Sequence, residues 1–241
     1  MEKLKSLHLS ERPYPNPVSR LSEALKLLRM SDTEWTKKMI ALETLQMLIV
    51  HHPHMVAEKR PIISVALINE GNSKRLRLAC AALDTIALMF LRMFMDADVE
   101  IATKSMLLLL AKDSIMSLKE RVHLALYCLA RSCSCSRFII ALLKCGQGHS
   151  SNCLRAGTIE QIGHLVDLNG ADKIFASMRH SNKQLVIALS KMALDRAPEV
   201  RHEAQRILKA FIHIPEFRKI LTDVVPFKNK KQMDTILKGL M

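Results

Sequence analysis

Three histidines close together are the residues of this chain whose spacing most resembles a metal site. They stand at positions 51, 52 and 54, and imidazoles within a few residues of one another can hold a transition metal. Pro53 lies among them, however, and no carboxylate ligand follows closely. We interpret the three histidines as a loop at the end of a helix and predict no metal site.

The cysteines do not form a second candidate. They stand at positions 80, 128, 133, 135, 145 and 153 without a C-x-x-C pair, and the single residue between Cys133 and Cys135 is too little for the usual zinc spacing. Cys80 and Cys128 lie within helical patterns and are expected to be small core residues. This cysteine usage indicates a reducing, intracellular setting.

Motifs of nucleotide-binding and hydrolytic enzymes are missing from the sequence. The segment 146–148 (GQG) lacks the third glycine and the Gly-Lys step of a phosphate loop, and His202-Glu203 has no second histidine at the offset of a zinc-protease helix. No Gly-x-Ser-x-Gly elbow occurs. The carboxylates at 96, 98 and 100 precede a predicted helix, where negative charge is favoured. We predict a protein that is not an enzyme and needs no cofactor.

The composition favours an all-α fold. Of 241 residues, 49% are hydrophobic and only 4% are aromatic, with 7 glycines and 8 prolines. A β-sandwich or barrel is typically rich in aromatic strands and Gly or Pro turns, and a doubly wound α/β enzyme carries glycine-rich phosphate loops. Leu, Met, Ala and Lys, which form helices readily, dominate instead.

The net charge of +13, from 36 basic and 23 acidic residues, indicates an acidic partner. The most hydrophobic stretch, 76–95, contains Arg77, Asp84 and Arg92, whereas a membrane span needs about 20 mostly uncharged residues. Residues 1–12 lack the apolar run of a signal peptide. We therefore expect a cytoplasmic protein without a membrane segment.

Hydrophobic periodicity predicts a succession of short helices. An extended, proline-containing arm over 1–16 precedes a helix that starts at Pro17. Pro61 is expected to kink the helix over 56–69 or to mark its late start. A helical turn is expected near 171–179, and the other helices are expected over about 34–51, 56–69, 74–94, 98–112, 118–132, 136–145, 152–168, 182–194, 199–211, 215–224 and 230–239.

A basic residue near the start of every second helix indicates an internal repeat. The positions three and seven residues further on are apolar or small and share one helix face, except Asp84, whose place Leu83 can take. A period near 40 with two helices per unit is typical of HEAT and armadillo repeats. We predict an all-α solenoid of about six HEAT-type helix pairs, forming one domain over 17–241, with an irregular bundle as the alternative. The basic residues are Lys38, Arg77, Lys119, Arg155 and Arg201, at intervals of 39, 42, 36 and 46 residues.

The turns inside the helix pairs are expected to form one ridge along an edge of the solenoid. Lys38 and Lys74 are expected to point into solvent. Arg155 and Arg201 have two open interpretations, which are contact with a partner and a bond to a carboxylate or carbonyl of the neighbouring repeat. Trp35 is either an exposed hot spot of an interface or packed on the arm. The turns lie at about 31–35, 71–74, 113–117, 148–152 and 195–198, and the ridge carries Lys37, Lys38, Lys74, Arg75, Lys119, Arg155 and Arg201.

The sequence around the first turn resembles that of a TOG domain. The resemblance is carried by a helix, a turn with tryptophan and a basic helix in segment 34–42 (EWTKKMIAL). Segments 118–126 (LKERVHLAL) and 200–204 (VRHEA) are similar to the third and fifth repeats. The likeness is closest to the crescerin group, the TOG array regulators of axonemal microtubules, with the CLASP group next, and covers about residues 17–241.

The resemblance implies a monomeric, cytoskeletal module that binds tubulin through the aligned turns and regulates microtubule dynamics, including in the cilium or axoneme. In that family the tryptophan of the first turn and the second turn contact β-tubulin, and basic residues of later turns contact α-tubulin. The matching residues here are Trp35, Lys38, Ser73, Lys74, Lys119, Asn152, Arg155 and Arg201. Two departures are the apolar third turn, 115–117, and a fourth turn with no lysine before Arg155.

Two other functions compete with this one. A HEAT-repeat adaptor would bind a different acidic protein along its concave face. Sequence-independent binding of nucleic acid would need basic helix faces with aromatics for stacking, and because aromatics are few we expect neither nucleic acid nor membrane as partner. Trp35 separates the first two functions, since only the tubulin interpretation needs it exposed on the same edge as Lys74 and Arg155.

Overall fold

The computed structural model describes residues 15–94, 96–112 and 115–240, without the side chains of residues 32, 228 and 240. The predicted arm up to residue 14 and residues 113–114 of the third predicted turn lie outside these ranges. Every regular element in the described ranges is helical. None of these helices combines the length and apolar character needed to span a membrane.

The chain divides into two compact units, one ending at Cys133 and the other beginning at Ser134. Within the described residues, the first unit contains α1 Pro17–Leu28, a 3-10 helix Asp32–Glu34, α2 Trp35–His51, α3 Pro53–Glu58, α4 Arg60–Gly71, α5 Leu76–Arg92, α6 Val99–Lys112 and α7 Met116–Arg131. The second unit contains α8 Cys135–Gly146, α9 Asn152–Asn169, α10 Ala171–Ser177, α11 Asn182–Met192, α12 Pro198–Phe211, α13 Pro215–Val224 and α14 Phe227–Leu240.

Each unit is built from antiparallel helix pairs in two layers. In the first unit the pairs are α1/α2, α4/α5 and α6/α7, and their second helices α2, α5 and α7 pack side by side. In the second unit the pairs are α8/α9 and α11/α12, the second helices α9 and α12 pack side by side, and α11 packs on α13. The predicted HEAT-type pairing of helices is therefore confirmed.

Prolines begin several of these helices, since their missing N–H and fixed φ suit a first turn. Pro17 starts α1 as predicted. Pro61 stands at the beginning of α4, so the expected late start is confirmed, and a separate short helix, α3, precedes it. The interpretation of the histidines as a loop is wrong for His54, because Pro53 starts α3 and places His54 inside it.

The repeat predicted from the basic residues also describes the core. Four helices bury the positions three and seven residues after their basic residue, and these are Ala41, Leu45, Val122, Leu126, Thr158, Ile162, Ala204 and Leu208. In α5 the buried face is shifted by one residue. Leu83 is 1% exposed there, while Asp84 accepts a hydrogen bond from Arg121 Nε of the next pair at 3.1 Å.

Polar contacts also join positions one repeat apart within each unit. Gln46 Nε2 donates to Thr85 Oγ1 at 2.9 Å, across 39 residues of sequence. Arg206 Nη1 lies 2.8 Å from Asp167 Oδ1, again across 39 residues. These contacts hold the second helices of neighbouring pairs in register.

We predict that Gly146→Ala destabilises the second unit by about 1–3 kcal/mol, because it overfills a packed contact. A Cβ on Gly146 would overlap the Oγ1 of the buried Thr158 and lie 2.8 Å from the Thr158 Cβ. Gly148→Ala is the matched control, since no atom lies within 4 Å of its Cβ position. Urea unfolding of both variants measures the effect, and equal midpoints would contradict it.

Candidate functional site

The turns that join α1 to α2, α4 to α5 and α6 to α7 lie at one end of the first unit, because each pair is antiparallel and the second helices pack side by side. We call the described residues 29–35, 72–77 and 115–119 the first-unit turn edge. The second unit has corresponding turns at 147–152 and 193–197. All eight residues that the resemblance assigns to tubulin binding lie in these turns or in the first turns of the helices that follow.

Trp35 and Arg75 join the first two turns of this edge. Trp35 is the first residue of α2 and is partly exposed. The guanidinium carbon of the exposed Arg75 lies 5.6 Å from the centroid of the Trp35 ring, within the range of a cation–π contact. Trp35 therefore lies beside the second turn with part of its ring accessible.

The second turn places a cation in solvent next to this contact. Lys74 is exposed, as predicted. Ser73 is partly exposed, and its hydroxyl oxygen accepts a hydrogen bond from the backbone N–H of Arg75 at 3.2 Å. This local bond fixes the turn that presents Lys74 and Arg75.

The prediction that Lys38 points into solvent is wrong. Lys38 is 4% exposed, and its Nζ lies 2.7 Å from Oε1 of Glu70, which is itself buried. Glu70 is the penultimate residue of α4, just before the second turn. A buried ammonium needs such a partner, so the pair ties the start of α2 to the end of α4 from inside the unit.

The third turn is apolar, as its sequence indicates. Ile115 is 44% exposed and Met116 is 69% exposed. Lys119, in the first turn of α7, is half-buried. The described part of the third turn thus adds apolar surface to the first-unit turn edge and one partly accessible lysine.

In the second unit Arg155 acts as an internal anchor. Arg155 is 5% exposed, and its Nε and Nη2 donate to Asp195 Oδ2 and Oδ1, both at 2.8 Å. Its guanidinium also donates to the carbonyls of His149 and Ser150 and to Asn152 Oδ1. Of the two interpretations left open for Arg155, the bond to a carboxylate and carbonyls is the one observed.

Arg201 repeats part of this pattern in the next turn. Its Nη1 donates to the carbonyls of Asp195 and Arg196 at 2.8 and 3.1 Å, while the side chain stays partly exposed. Asn152 is exposed, with its Oδ1 engaged by Arg155. Both residues therefore keep accessible surface on the turns of the second unit.

Electrostatics agree with these structural roles. The hydrogen bonds from Arg155 hold the pKa of Asp195 below its ordinary value, and the same bonds raise the pKa of Arg155. Burial raises the pKa of the Cys128 thiol to about 11, and it also raises the pKa of Cys80 and Cys135. These thiols are thus poor nucleophiles. The described residues contain no group of three or more His, Cys, Asp or Glu side chains suited to a metal ion.

Sequence reasoning missed the two carboxylates that engage the predicted cations. Glu70 lies 32 residues after Lys38, and Asp195 lies 40 residues after Arg155. For Asp195 the available signal was the repeat period itself, since a separation of 40 residues is about one period. Glu70, at 32 residues, falls short of one period and had no such signal.

Comparison with known proteins places this geometry in context. No family model matches the chain. The chain is 27% identical over 241 residues to the TOG array regulator of axonemal microtubules protein 1 of Mus musculus, covering 99% of this chain and 13% of that protein. It is 21% identical over 207 residues to the Crescerin-like protein che-12 of Caenorhabditis elegans, covering 85% and 16%. The chain thus spans less than a fifth of the length of these curated relatives.

Solved structures agree on the fold. The TOG domain of C. elegans Zyg9 superposes with a TM-score of 0.71 at 13% identity, covering 99% of this chain and 93% of that chain. A chain solved in work on TOG-tubulin binding specificity, microtubule dynamics and mitotic spindle formation gives a TM-score of 0.66 at 12% identity, with the same coverage. The predicted all-α HEAT-type solenoid and the resemblance to TOG domains are confirmed. The name of the mouse relative describes a regulator of axonemal microtubules, which agrees with the prediction of a protein that is not an enzyme.

Proposed function

We propose that the chain is a TOG domain protein that binds tubulin through its turns and regulates microtubules, as its fold and the names of its relatives support. The observation that carries this proposal is the first-unit turn edge, where Trp35 and Arg75 stack beside the exposed Lys74. An aromatic ring beside accessible cations is the composition of an interface hot spot for an acidic partner. The net charge of +13 would steer association with such a partner.

The proposal gives the eight residues two different tasks. Trp35, Ser73 and Lys74 contact tubulin directly from the first unit, with Lys119 beside them. Asn152 and Arg201 contact it from the second unit. Lys38 and Arg155 support these contacts by fixing the turns from inside, since their side chains are buried against Glu70 and Asp195.

We propose in addition a cytoskeletal location that includes the axoneme. The support is the mouse relative, whose name describes a regulator of axonemal microtubules. A fluorescent fusion expressed in ciliated cells tests this part. Signal along the axoneme is the expected result, and signal excluded from cilia would contradict it.

The test of tubulin binding compares two double variants. Trp35→Ala with Lys74→Ala removes an aromatic and a cation from the first-unit turn edge, and we expect at least a ~10-fold loss of affinity, about 1.4 kcal/mol. Phe94→Ala with Lys209→Ala is the matched control. It removes an exposed aromatic just after α5 and an exposed lysine in the last turn of α12, both at the helix ends opposite the turns.

Size-exclusion co-elution with unpolymerised tubulin at low salt is the measurement. We expect a complex with the wild-type chain and with the control at concentrations of ~10 μM. Equal loss in both double variants would place the binding surface elsewhere. If the folded wild-type chain forms no complex, the tubulin proposal is wrong and an adaptor for another acidic protein becomes the better candidate.

A further inference from the structure

An apolar groove runs along the first helices of the first unit. A cleft of about 640 Å³ lies between α1 and α4, and a cavity of about 120 Å³ lies beside α4, α5 and α6. Pro61 and Val65 of α4 line both, and we call the cleft and the cavity together the first-helix groove. Its exposed apolar side chains lie on first helices, whereas the residues proposed to contact tubulin lie in the turns and at the starts of second helices.

Large apolar side chains of this groove stand in solvent. Ile62 and Val65 on α4 are 46% and 59% exposed, and Ile101 on α6 is 65% exposed. Leu108 follows seven residues after Ile101, on the same helix face, and is 45% exposed. A contiguous apolar patch of this kind on a folded protein marks an interaction surface.

Two cations border the groove. Arg29, directly after the end of α1, lines the cleft, and Lys104 of α6 is exposed between Ile101 and Leu108. Neither forms an ion pair within the described residues. The carboxylates that line the cleft and the cavity, Glu70 and Asp98, pair with Lys38 and Arg60. Glu23 of α1 pairs with Arg20. An occupant of the groove would therefore meet apolar side chains bordered by cations on both sides.

We propose that the first-helix groove binds an acidic amphipathic helix of a partner protein. The apolar face of that helix, with side chains at i, i+3, i+4 and i+7, covers Ile62, Val65 and Ile101. Its carboxylates lie toward Arg29 and Lys104. A second copy of the chain fits less well, because a symmetric pairing would bring like cations together across the interface.

The proposal is tested with two synthetic peptides. One is a fluorescein-labelled helix of about five turns, ~18 residues, with leucines at i, i+3, i+4 and i+7 and glutamates elsewhere. The other carries lysine in place of each glutamate. By fluorescence anisotropy we expect the acidic peptide to bind with a Kd below ~100 μM and the basic peptide to bind at least ~10-fold more weakly.

Two variants locate the binding. Val65→Glu with Ile101→Glu should weaken binding of the acidic peptide at least ~10-fold. Both positions are exposed enough to accept a carboxylate while the chain stays folded, which urea unfolding checks. Ile40→Glu with Phe227→Glu is the control, since these exposed apolar residues line neither cavity. The acidic peptide should bind this control variant with the same affinity as the wild type.

Three results would overturn the proposal. The first is equal binding of the two peptides, and the second is wild-type affinity in the Val65→Glu, Ile101→Glu variant. The third is a concentration-dependent dimer in sedimentation velocity that this variant abolishes, because the occupant would then be a second copy. Co-elution with tubulin should be unchanged in the groove variant, so this proposal and the tubulin proposal fail separately.

Discussion

Asp195→Ala is expected to destabilise the second unit by about 3 kcal/mol. The side chains of Arg155 and Asp195 are only 6% and 13% exposed. The Asp195 carboxylate accepts one hydrogen bond from Arg155 Nε and one from Arg155 Nη2. Removing it leaves a buried cation without its counter-ion, and the backbone N–H of Ala197 also loses its acceptor. The turn before α12 should loosen with it.

Urea unfolding at neutral pH measures this effect, with Asp167→Ala as the matched control. Asp167 also pairs with an arginine of the second unit, but the side chains of that pair are 47% and 54% exposed. An exposed pair contributes about 1 kcal/mol or less. Equal losses in the two variants would contradict the anchoring role of Arg155.

The same pair predicts a pH dependence. The pKa of Asp195 is lower in the folded chain than in the unfolded chain, chiefly through the hydrogen bonds from Arg155. Its contribution to stability is therefore complete above the unfolded pKa of about 3.9 and is lost as pH falls through the lower folded pKa. The stability difference between wild type and Asp195→Ala should shrink below about pH 4 and stay constant between pH 5 and 7.

Glu70→Ala is expected to cost the first unit about 3–4 kcal/mol. The side chains of Lys38 and Glu70 are 5% and 7% exposed, so the variant leaves the buried ammonium of Lys38 without its counter-ion. Lys38→Met combined with Glu70→Leu replaces both charges by apolar groups of similar size, and we expect it to recover most of the loss. Urea unfolding of the single and double variants is the measurement, and a loss below about 1 kcal/mol in Glu70→Ala would be the contrary result.

The apolar double variant also separates two roles for Lys38. If Lys38 supports the turns from inside, Lys38→Met with Glu70→Leu should bind tubulin about as well as the wild type. If Lys38 contacts tubulin directly, as the resemblance alone implies, the same folded variant should lose affinity at least ~10-fold.

Helix positions were predictable because local signals fix them. Pro17 and Pro61 mark starts that need no other part of the chain, and the buried faces at Leu45 and Leu126 follow from spacing alone. The period near 40 then predicted the pairing of helices, because only stacked neighbours can bury such faces.

Whether an individual cation is buried or exposed was not predictable from local signals. Lys38 and Lys74 look alike in sequence, yet one is buried and the other exposed. The difference depends on Glu70, which the fold brings to Lys38 from 32 residues away. The exposure of Val65 and Ile101 was equally unpredictable, since periodicity marks an apolar position without showing whether a neighbouring helix covers it.

Hydrogen–deuterium exchange of the chain with and without unpolymerised tubulin tests whether the turns bind tubulin. We expect slower exchange of backbone amides in the turns at 31–36 and 72–77 of the first unit and at 148–153 and 195–200 of the second. Helices α4 and α6, which carry the first-helix groove, should exchange as in the free chain. Protection confined to α4 and α6, with the turns unchanged, would contradict the claim that the turns bind tubulin.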